Sequence, residues 1–148
     1  MIEILYGTES FLISEYIKKI QKENNIENVV KYDLEDTTIE DIIEDALYMD
    51  LFNNKKMIIV NNSYFLNDLN IDLEPLENYF KNQKLNTFLF FISDKEKIDE
   101  RKKIVKFFKK ENIIKSFNKL DERNMEEKIK STLEKHKFKI DYLAIKEL

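Results

Sequence analysis

Short apolar runs separated by amphipathic segments predict that strands and helices alternate along the chain. Five runs are strand-like, at residues 2–6, 29–34, 56–60, 87–93 and 113–117. The run TFLFFIS at 87–93 is apolar without alternation. A strand buried on both faces has this pattern, and such strands are typical of parallel sheets covered by helices.

Helical spacing of apolar residues fills the segments between these runs. A first helix is predicted over 10–23, and Thr37 followed by Glu40 is a capping-box signature that predicts the start of a second. Pro75 suits the first turn of a weaker third helix, and a lysine-rich fourth helix is predicted over about 97–110. The expected inner faces of the first, second and fourth helices are Ile13, Ile17 and Ile20; Ile39, Ile42, Ile43, Ala46 and Leu47; and Ile104, Phe107 and Phe108.

This alternation implies right-handed crossovers and a three-layer α/β sandwich around a five-stranded parallel sheet. After Phe117 the pattern is helical with no following strand, and a last predicted helix starts at Asp141 and runs to the end of the sequence. We therefore expect an α/β domain at 1–118. Residues 119–148 are expected to be the beginning of a helical second domain, truncated where the sequence stops.

Composition narrows the class of protein. The chain has 148 residues, of which 43% are apolar and 36% charged, and it contains no cysteine, so disulfides and thiolate chemistry are excluded. No apolar run approaches the ~20 residues that span a bilayer, and the first residues lack a basic signal-peptide region. These features favour a cytoplasmic protein. With one glycine and one proline, tight turns are expected to use Asn and Asp.

The segment after the first strand resembles a degenerate phosphate-binding loop. In the motif GxxxxGK[ST], glycines let backbone amides surround phosphates, the lysine reaches the outer phosphates and the hydroxyl holds magnesium. Gly7 and Ser14 fit this motif, but Leu12 replaces the second glycine and Ile13 replaces the lysine. The turn itself is expected to require Gly7.

The third strand ends in a second departure from nucleotide chemistry. Asn61 and Asn62 follow it, where a P-loop enzyme would place acidic residues that hold magnesium. We therefore expect no ATPase activity, no cofactor and no metal. A phospho-accepting receiver is disfavoured because the first loop offers only Glu9. His136, the single histidine, is expected at the surface.

A basic run, RKKIVKFFKK at 101–110, has two interpretations. It is either the solvated exterior of a helix, which its acidic neighbours favour, or a contact with the DNA backbone. In the second case Lys102, Lys106 and Lys109 are the candidate residues. The net charge of −4 argues against a whole surface devoted to nucleic acid.

The connection MDLFNNK, 49–55, is unusual because two large apolar residues stand together in a short loop. Leu51 and Phe52 precede two turn-forming asparagines. One or both side chains could tuck under the preceding helix. Alternatively, they could form an exposed anchor that fills a hydrophobic pocket on a partner protein.

Five segments follow one another along the chain: YGTESFLISEYIKKI, VVKYDLEDTTIEDIIEDAL, MDLFNNKKMIIVNNSYFL, NTFLFFIS and FKIDYLAIKEL. In this order they resemble the amino-terminal part of the bacterial DNA polymerase III delta subunit. This family is a clamp-loader component of AAA+ architecture, related to P-loop NTPases. The resemblance implies strand order 5-1-4-3-2 and a helical lid, of which only the start is present, followed in the family by a collar that this chain lacks.

The resemblance also implies a function. Family members take part in DNA replication within the polymerase holoenzyme. They do not hydrolyse ATP but bind the sliding clamp, the beta subunit, and help to open it, while sister loader subunits supply the ATPase. The clamp-contacting Leu-Phe pair of the family corresponds to Leu51 and Phe52, flanked by Met49, Asp50 and Asn53. The alternative function is a divergent P-loop enzyme that binds nucleotide at a non-standard phosphate site at Gly7.

Overall fold

The computed structural model describes residues 1–48, 51–67 and 70–119. The strands in this part of the chain are β1 (Ile2–Tyr6), β2 (Asn28–Asp33), β3 (Lys56–Asn61), β4 (Thr87–Ser93) and β5 (Ile114–Ser116). In the same ranges the α-helices are α1 (Ser10–Glu23), α2 (Ile39–Leu47), α3 (Glu74–Lys81) and α4 (Lys103–Lys110), and a short 3-10 helix lies at Tyr64–Leu66. None of the helices in these ranges is long and apolar enough to cross a membrane.

The five strands form one parallel sheet in the order β2-β3-β4-β1-β5. The predicted α/β sandwich is confirmed, and the order is the expected 5-1-4-3-2 counted from the other side. The chain crosses from β1 to the far edge through α1 and returns through α2, α3 and α4. Because such crossovers are right-handed, α1 lies on one face and the other three helices lie on the opposite face.

Each face of the sheet therefore has its own core. The three-helix face buries alternate strand residues, such as Ile4, Ile58 and Phe91, against α2, α3 and α4. The other face buries Leu5, Met57 and Phe90, among others, against α1. Side chains on a strand alternate between faces, so a central strand that is apolar at every position supplies both cores.

Several boundaries differ from the predictions. Thr38, and not Thr37, caps α2: its hydroxyl accepts a hydrogen bond from the Asp41 amide at 3.2 Å. Leu47 is exposed, because it is the last residue of α2 and lies beyond the packed stripe. The fourth helix starts at 103 and not at 97, and it buries Val105, which the predicted inner face omitted. Phe107 is only partly buried against the core.

Asparagines make the tight turns, as the composition predicted. In the described ranges, every non-glycine residue with a positive φ is an asparagine: Asn25, Asn53, Asn62 and Asn112. Asparagine tolerates the left-handed region because its short polar side chain can bond locally. The chain thereby connects its strands with little glycine.

Candidate functional site

Open parallel sheets usually bind ligands at the edge formed by the carboxyl ends of their strands. Here the loop after β1, which lies at that edge, is hydrogen-bonded to other parts of the protein. The Gly7 amide donates to the Ser93 carbonyl at 3.1 Å, and the Glu9 amide donates to the Phe117 carbonyl at 2.9 Å. The Thr8 amide donates to Oδ1 of Asn118 at 2.9 Å. Three consecutive amides that could have surrounded a phosphate are thus bonded within the protein.

The close approach of the β5 end explains Gly7. Its φ is +141°, and a Cβ at this position would come within 3.0 Å of the carbonyl oxygen, carbonyl carbon and amide nitrogen of Phe117. An L side chain at such a φ is strained, and backbone atoms cannot yield as a flexible side chain can. Gly7 is thus required by its φ and by the approach of the Phe117 backbone, whereas the sequence predicted only the requirement of the turn.

The remaining residues of the predicted degenerate P-loop belong to a helix. A phosphate-binding loop lies between its strand and its helix, but α1 already begins at Ser10. Ile13, in the position of the lysine, is buried in the α1-side core, and Leu12 packs against that core. Ser14 is exposed. Leu12 and Ile13 therefore serve the packing of α1.

An open groove of about 740 Å³ runs beside this loop. Its apolar wall comes from the strands and from α1, because α1 alone covers this face, and Lys18, Lys31 and Asp94 add charge. Asn61 lines one end. Asn62 follows it with φ 57° and donates through Nδ2 to the Asp33 carboxylate at 2.8 Å, so it stabilises a turn.

The amino edge of the sheet carries the loop between α2 and β3. Leu51 is 99% exposed and Phe52 is 82% exposed, so the interpretation that either side chain tucks under the helix is wrong. Asn53 continues the loop with φ 52°, and its carbonyl accepts from Nδ2 of Asn86 at 2.8 Å. Met49 and Asp50 lie outside the described residues. The loop is thus fixed immediately after an exposed apolar pair.

A buried lysine holds the base of this loop. Lys56, 8% exposed, donates from Nζ to the Asp45 carbonyl at 2.6 Å and to Asp45 Oδ1 at 2.7 Å. The carbonyl belongs to the last turn of α2, where a cation is favoured by the helix dipole. Nζ also lies 5.5 Å from the centroid of the Tyr48 ring, within the range of a cation–π contact. Lys56 thus joins the end of α2 to the start of β3.

Tyr32 completes this cluster by donating from its hydroxyl to the other Asp45 oxygen. That hydrogen bond, helped by burial, raises the pKa of Tyr32 to about 12. Burial alone would raise the pKa of Asp45, but the hydrogen bonds from Lys56 and Tyr32 outweigh it and lower the pKa. Asp45 therefore remains ionised at neutral pH and keeps its bond to Lys56.

Comparison with known proteins assigns the chain to a family. Residues 4–118 match the family described as "DNA polymerase III, delta subunit". The chain belongs to this family. It is 30% identical over 117 residues to the DNA polymerase III subunit delta of Bacillus subtilis (strain 168), an alignment that covers 72% of this chain and 34% of that protein.

A solved structure agrees with this assignment. The chain is similar to the Bacillus subtilis DNA clamp loader delta protein with a TM-score of 0.67 and 27% identity, over 79% of this chain and 38% of that one. The chain thus spans about a third of the length of the delta proteins that it matches. The delta-family α/β fold is confirmed.

The basic helix of this delta-family chain presents its lysines unequally. Lys102 donates from Nζ to the Phe65 carbonyl at 3.0 Å, and Lys109 is ion-paired with Glu100. Lys106 is exposed. Two of the three candidate residues therefore have partners within the protein, and the DNA contact stays a prediction.

Some predictions concern residues outside the described part of the delta-family chain. The helical second domain at 119–148 and His136 fall there, apart from residue 119.

Sequence patterns also missed Lys56 and Asp45, which stabilise the base of the α2–β3 loop. The available signal was the lysine that opens an otherwise apolar run, KMIIV, at a position where a buried charge needs a partner.

Proposed function

We propose that this domain of a DNA polymerase III delta subunit binds the sliding clamp through Leu51 and Phe52. The observation that carries the proposal is the exposure of this pair, 99% and 82%, at the tip of a loop whose base is fixed. Monomeric proteins rarely display adjacent large apolar side chains without a binding role. Met49, Asp50 and Asn53 flank the pair as secondary contacts.

The energetic argument rests on burial in a partner's pocket. Complete burial of a leucine or a phenylalanine contributes about 1.5 to 3 kcal/mol each. Association also costs free energy, including the ordering of loops at the interface. That ordering cost is reduced here because the Asn86–Asn53 and Lys56–Asp45 bonds already restrain the loop. Two residues of this kind meet the criterion for an interface hot spot.

The proposed role is to bind and help to open the ring without hydrolysing ATP. A clamp that alternates between closed and open or strained states shifts toward whichever state the subunit binds more tightly. In the full-length protein, sister loader subunits supply the ATPase and the complex brings the subunit to primed DNA in the cytoplasm. The engaged amides around Gly7 and the buried Ile13 argue against nucleotide binding as the alternative function.

The test is the affinity of the chain for the purified sliding clamp of the same organism, measured by isothermal titration calorimetry without nucleotide. Truncation of both residues, Leu51→Ala with Phe52→Ala, should weaken binding by about 100-fold or more, since about 3 kcal/mol is removed. Phe11→Ala is the matched control, because Phe11 is an exposed phenylalanine in α1 at the opposite edge of the sheet. Unchanged affinity of the folded double variant would exclude this site.

A further inference from the structure

Exposed apolar side chains are concentrated at one edge of the sheet. The described residues expose six large hydrophobic side chains, and five of them lie at the amino edge, near the end of α2 and in the loops that precede β3 and β4. These five are Leu47, Tyr48, Leu51, Phe52 and Leu85. A scattered surface population would not collect at one edge, so the surface extends beyond the Leu51–Phe52 pair.

Leu85 is the most exposed of the added residues, at 95%, and a tight turn displays it. The Thr87 amide donates to the Lys84 carbonyl at 3.2 Å, which closes a turn with Leu85 at its second position. Turn positions of this kind are usually polar. The closed turn presents an apolar side chain to solvent in a fixed place.

Hydrogen bonds join this turn to the α2–β3 loop. Asn86 donates from Nδ2 to the Asn53 carbonyl at 2.8 Å, and its own carbonyl accepts from the Lys56 amide at 2.8 Å. Through the first of these bonds, the Cα atoms of Leu85 and Phe52 are separated by at most about 17 Å, from standard backbone dimensions. A standard interface buries about 800 Å² per partner, which is wide enough to include both residues.

We propose that Leu85 is a second anchor of the clamp-binding surface, contacting an apolar site on the ring beside the pocket that receives Leu51 and Phe52. This inference rests on the proposed function. Its basis is that the turn bearing Leu85 is bonded directly to the loop bearing the pair. The Asn86 side chain then acts as a positioning residue that keeps the two anchors in one arrangement.

The test measures the affinity of Leu85→Ala for the purified sliding clamp of the same organism by calorimetry. Binding should weaken at least about fivefold, the threshold of an interface contact that matters. Phe11→Ala is again the control and should bind as the parent chain does. Both variants should keep the parent's circular dichroism spectrum, since neither side chain is buried.

A second measurement uses the absence of cysteine from this chain. Leu85→Cys and Phe11→Cys each provide a single labelling site for an environment-sensitive fluorophore. Added clamp should shift the emission of the label at position 85 to shorter wavelength and leave the label at position 11 unchanged. No shift at position 85 under conditions where the clamp binds would overturn the second anchor.

The outcomes separate this inference from the proposed function. If the Leu51→Ala and Phe52→Ala double variant loses binding while Leu85→Ala does not, only the second anchor is wrong. If the double variant binds normally, the proposed site fails, whatever Leu85→Ala does. If sedimentation shows a dimer that Leu85→Ala dissociates, the turn belongs to a self-association surface, and the second anchor is excluded.

Discussion

Substitution of Gly7 by alanine tests whether this glycine is required for the stability of the fold or would serve only to bind a phosphate. If Gly7 served only a ligand, alanine would leave the folded domain intact. In the structure, however, the new Cβ would lie 2.5 Å from the carbonyl carbon and 2.8 Å from the amide nitrogen of Phe117, at a φ of +141°. Atoms this close must move apart, and all of the atoms approached, including the carbonyl oxygen of Phe117, belong to the backbone.

The expected loss of stability has two parts. Holding a non-glycine residue at this φ costs on the order of 1–3 kcal/mol. Moving the Phe117 backbone also disturbs two hydrogen bonds. The Phe117 amide donates to the Tyr6 carbonyl at 2.7 Å, and the Phe117 carbonyl accepts from the Glu9 amide at 2.9 Å. Each such bond contributes about 0.5–1.5 kcal/mol net. The free energy of unfolding should therefore fall by about 2–6 kcal/mol, a large share of the roughly 5–15 kcal/mol of a typical domain.

Urea unfolding followed by far-UV circular dichroism measures this difference directly. Ser14→Ala, which changes an exposed residue of the same degenerate motif, is the control and should stay within about 0.5 kcal/mol of the parent. A Gly7→Ala variant less than about 1 kcal/mol below the parent would refute the packing argument, because neither the strain nor the clash could then be real.

Two further predictions concern the cluster at the base of the α2–β3 loop. Lys56→Met should lower the free energy of unfolding in urea by about 1–3 kcal/mol, less than the 3–5 kcal/mol of a fully buried pair, because Asp45 keeps 24% side-chain exposure. Adding Asp45→Asn should cost less than the sum of the single changes, and strict additivity would show that the pair does not interact. The lowered pKa of Asp45 predicts stability that is fully present above the ordinary carboxyl pKa and lost as pH falls through the lowered folded value. In the Asp45→Asn variant, the free energy of unfolding should fall less steeply with decreasing pH than in the parent. An unchanged dependence on pH would contradict the lowered pKa of Asp45.

The sequence predicted best where periodicity was clean and burial followed from it. The bounds predicted for α1 and β4 agree with the structure because the buried positions of α1 recur at helical spacing and β4 is one uninterrupted apolar run. The capping residue of α2 was missed by one position. Thr37 and Thr38 are adjacent, and each is followed three residues later by an acidic residue, so local pattern could not choose between them.

The late start of α4 has a tertiary cause. The segment before it is bonded to the 3-10 turn: the Asp99 amide donates to the Leu66 carbonyl at 2.9 Å, and Nδ2 of Asn67 donates to the Lys97 carbonyl at 2.7 Å. Asp99 also accepts from the Arg101 amide at 3.0 Å. The two long-range bonds and this local bond compete with helical hydrogen bonds, and helix propensity is too weak to prevail over them.

The candidate site was predictable in identity but not in extent. Adjacent large apolar residues are unusual in a short loop, so the sequence alone singles out Leu51 and Phe52. Leu85 gave no comparable signal, because a single leucine between polar residues is compatible with either core or surface. Only the pairing of β3 with β4, which sets the two loops side by side, brings it into the same surface.

The two edges of the parallel sheet explain why binding of a partner need not involve nucleotide. The β1–α1 loop lies at the carboxyl edge and the exposed apolar surface lies at the amino edge. Strands of five to seven residues separate them, or roughly 20 Å at 3.3 Å per residue. Coupling across that distance would require an element with two discrete arrangements that both edges influence. Here the β1–α1 loop is hydrogen-bonded to the ends of β4 and β5, and the backbone of Phe117 lies directly against Gly7. A sheet whose β1–α1 loop is bonded in this way is a rigid scaffold that can present anchors at the opposite edge, as the proposed binding role requires.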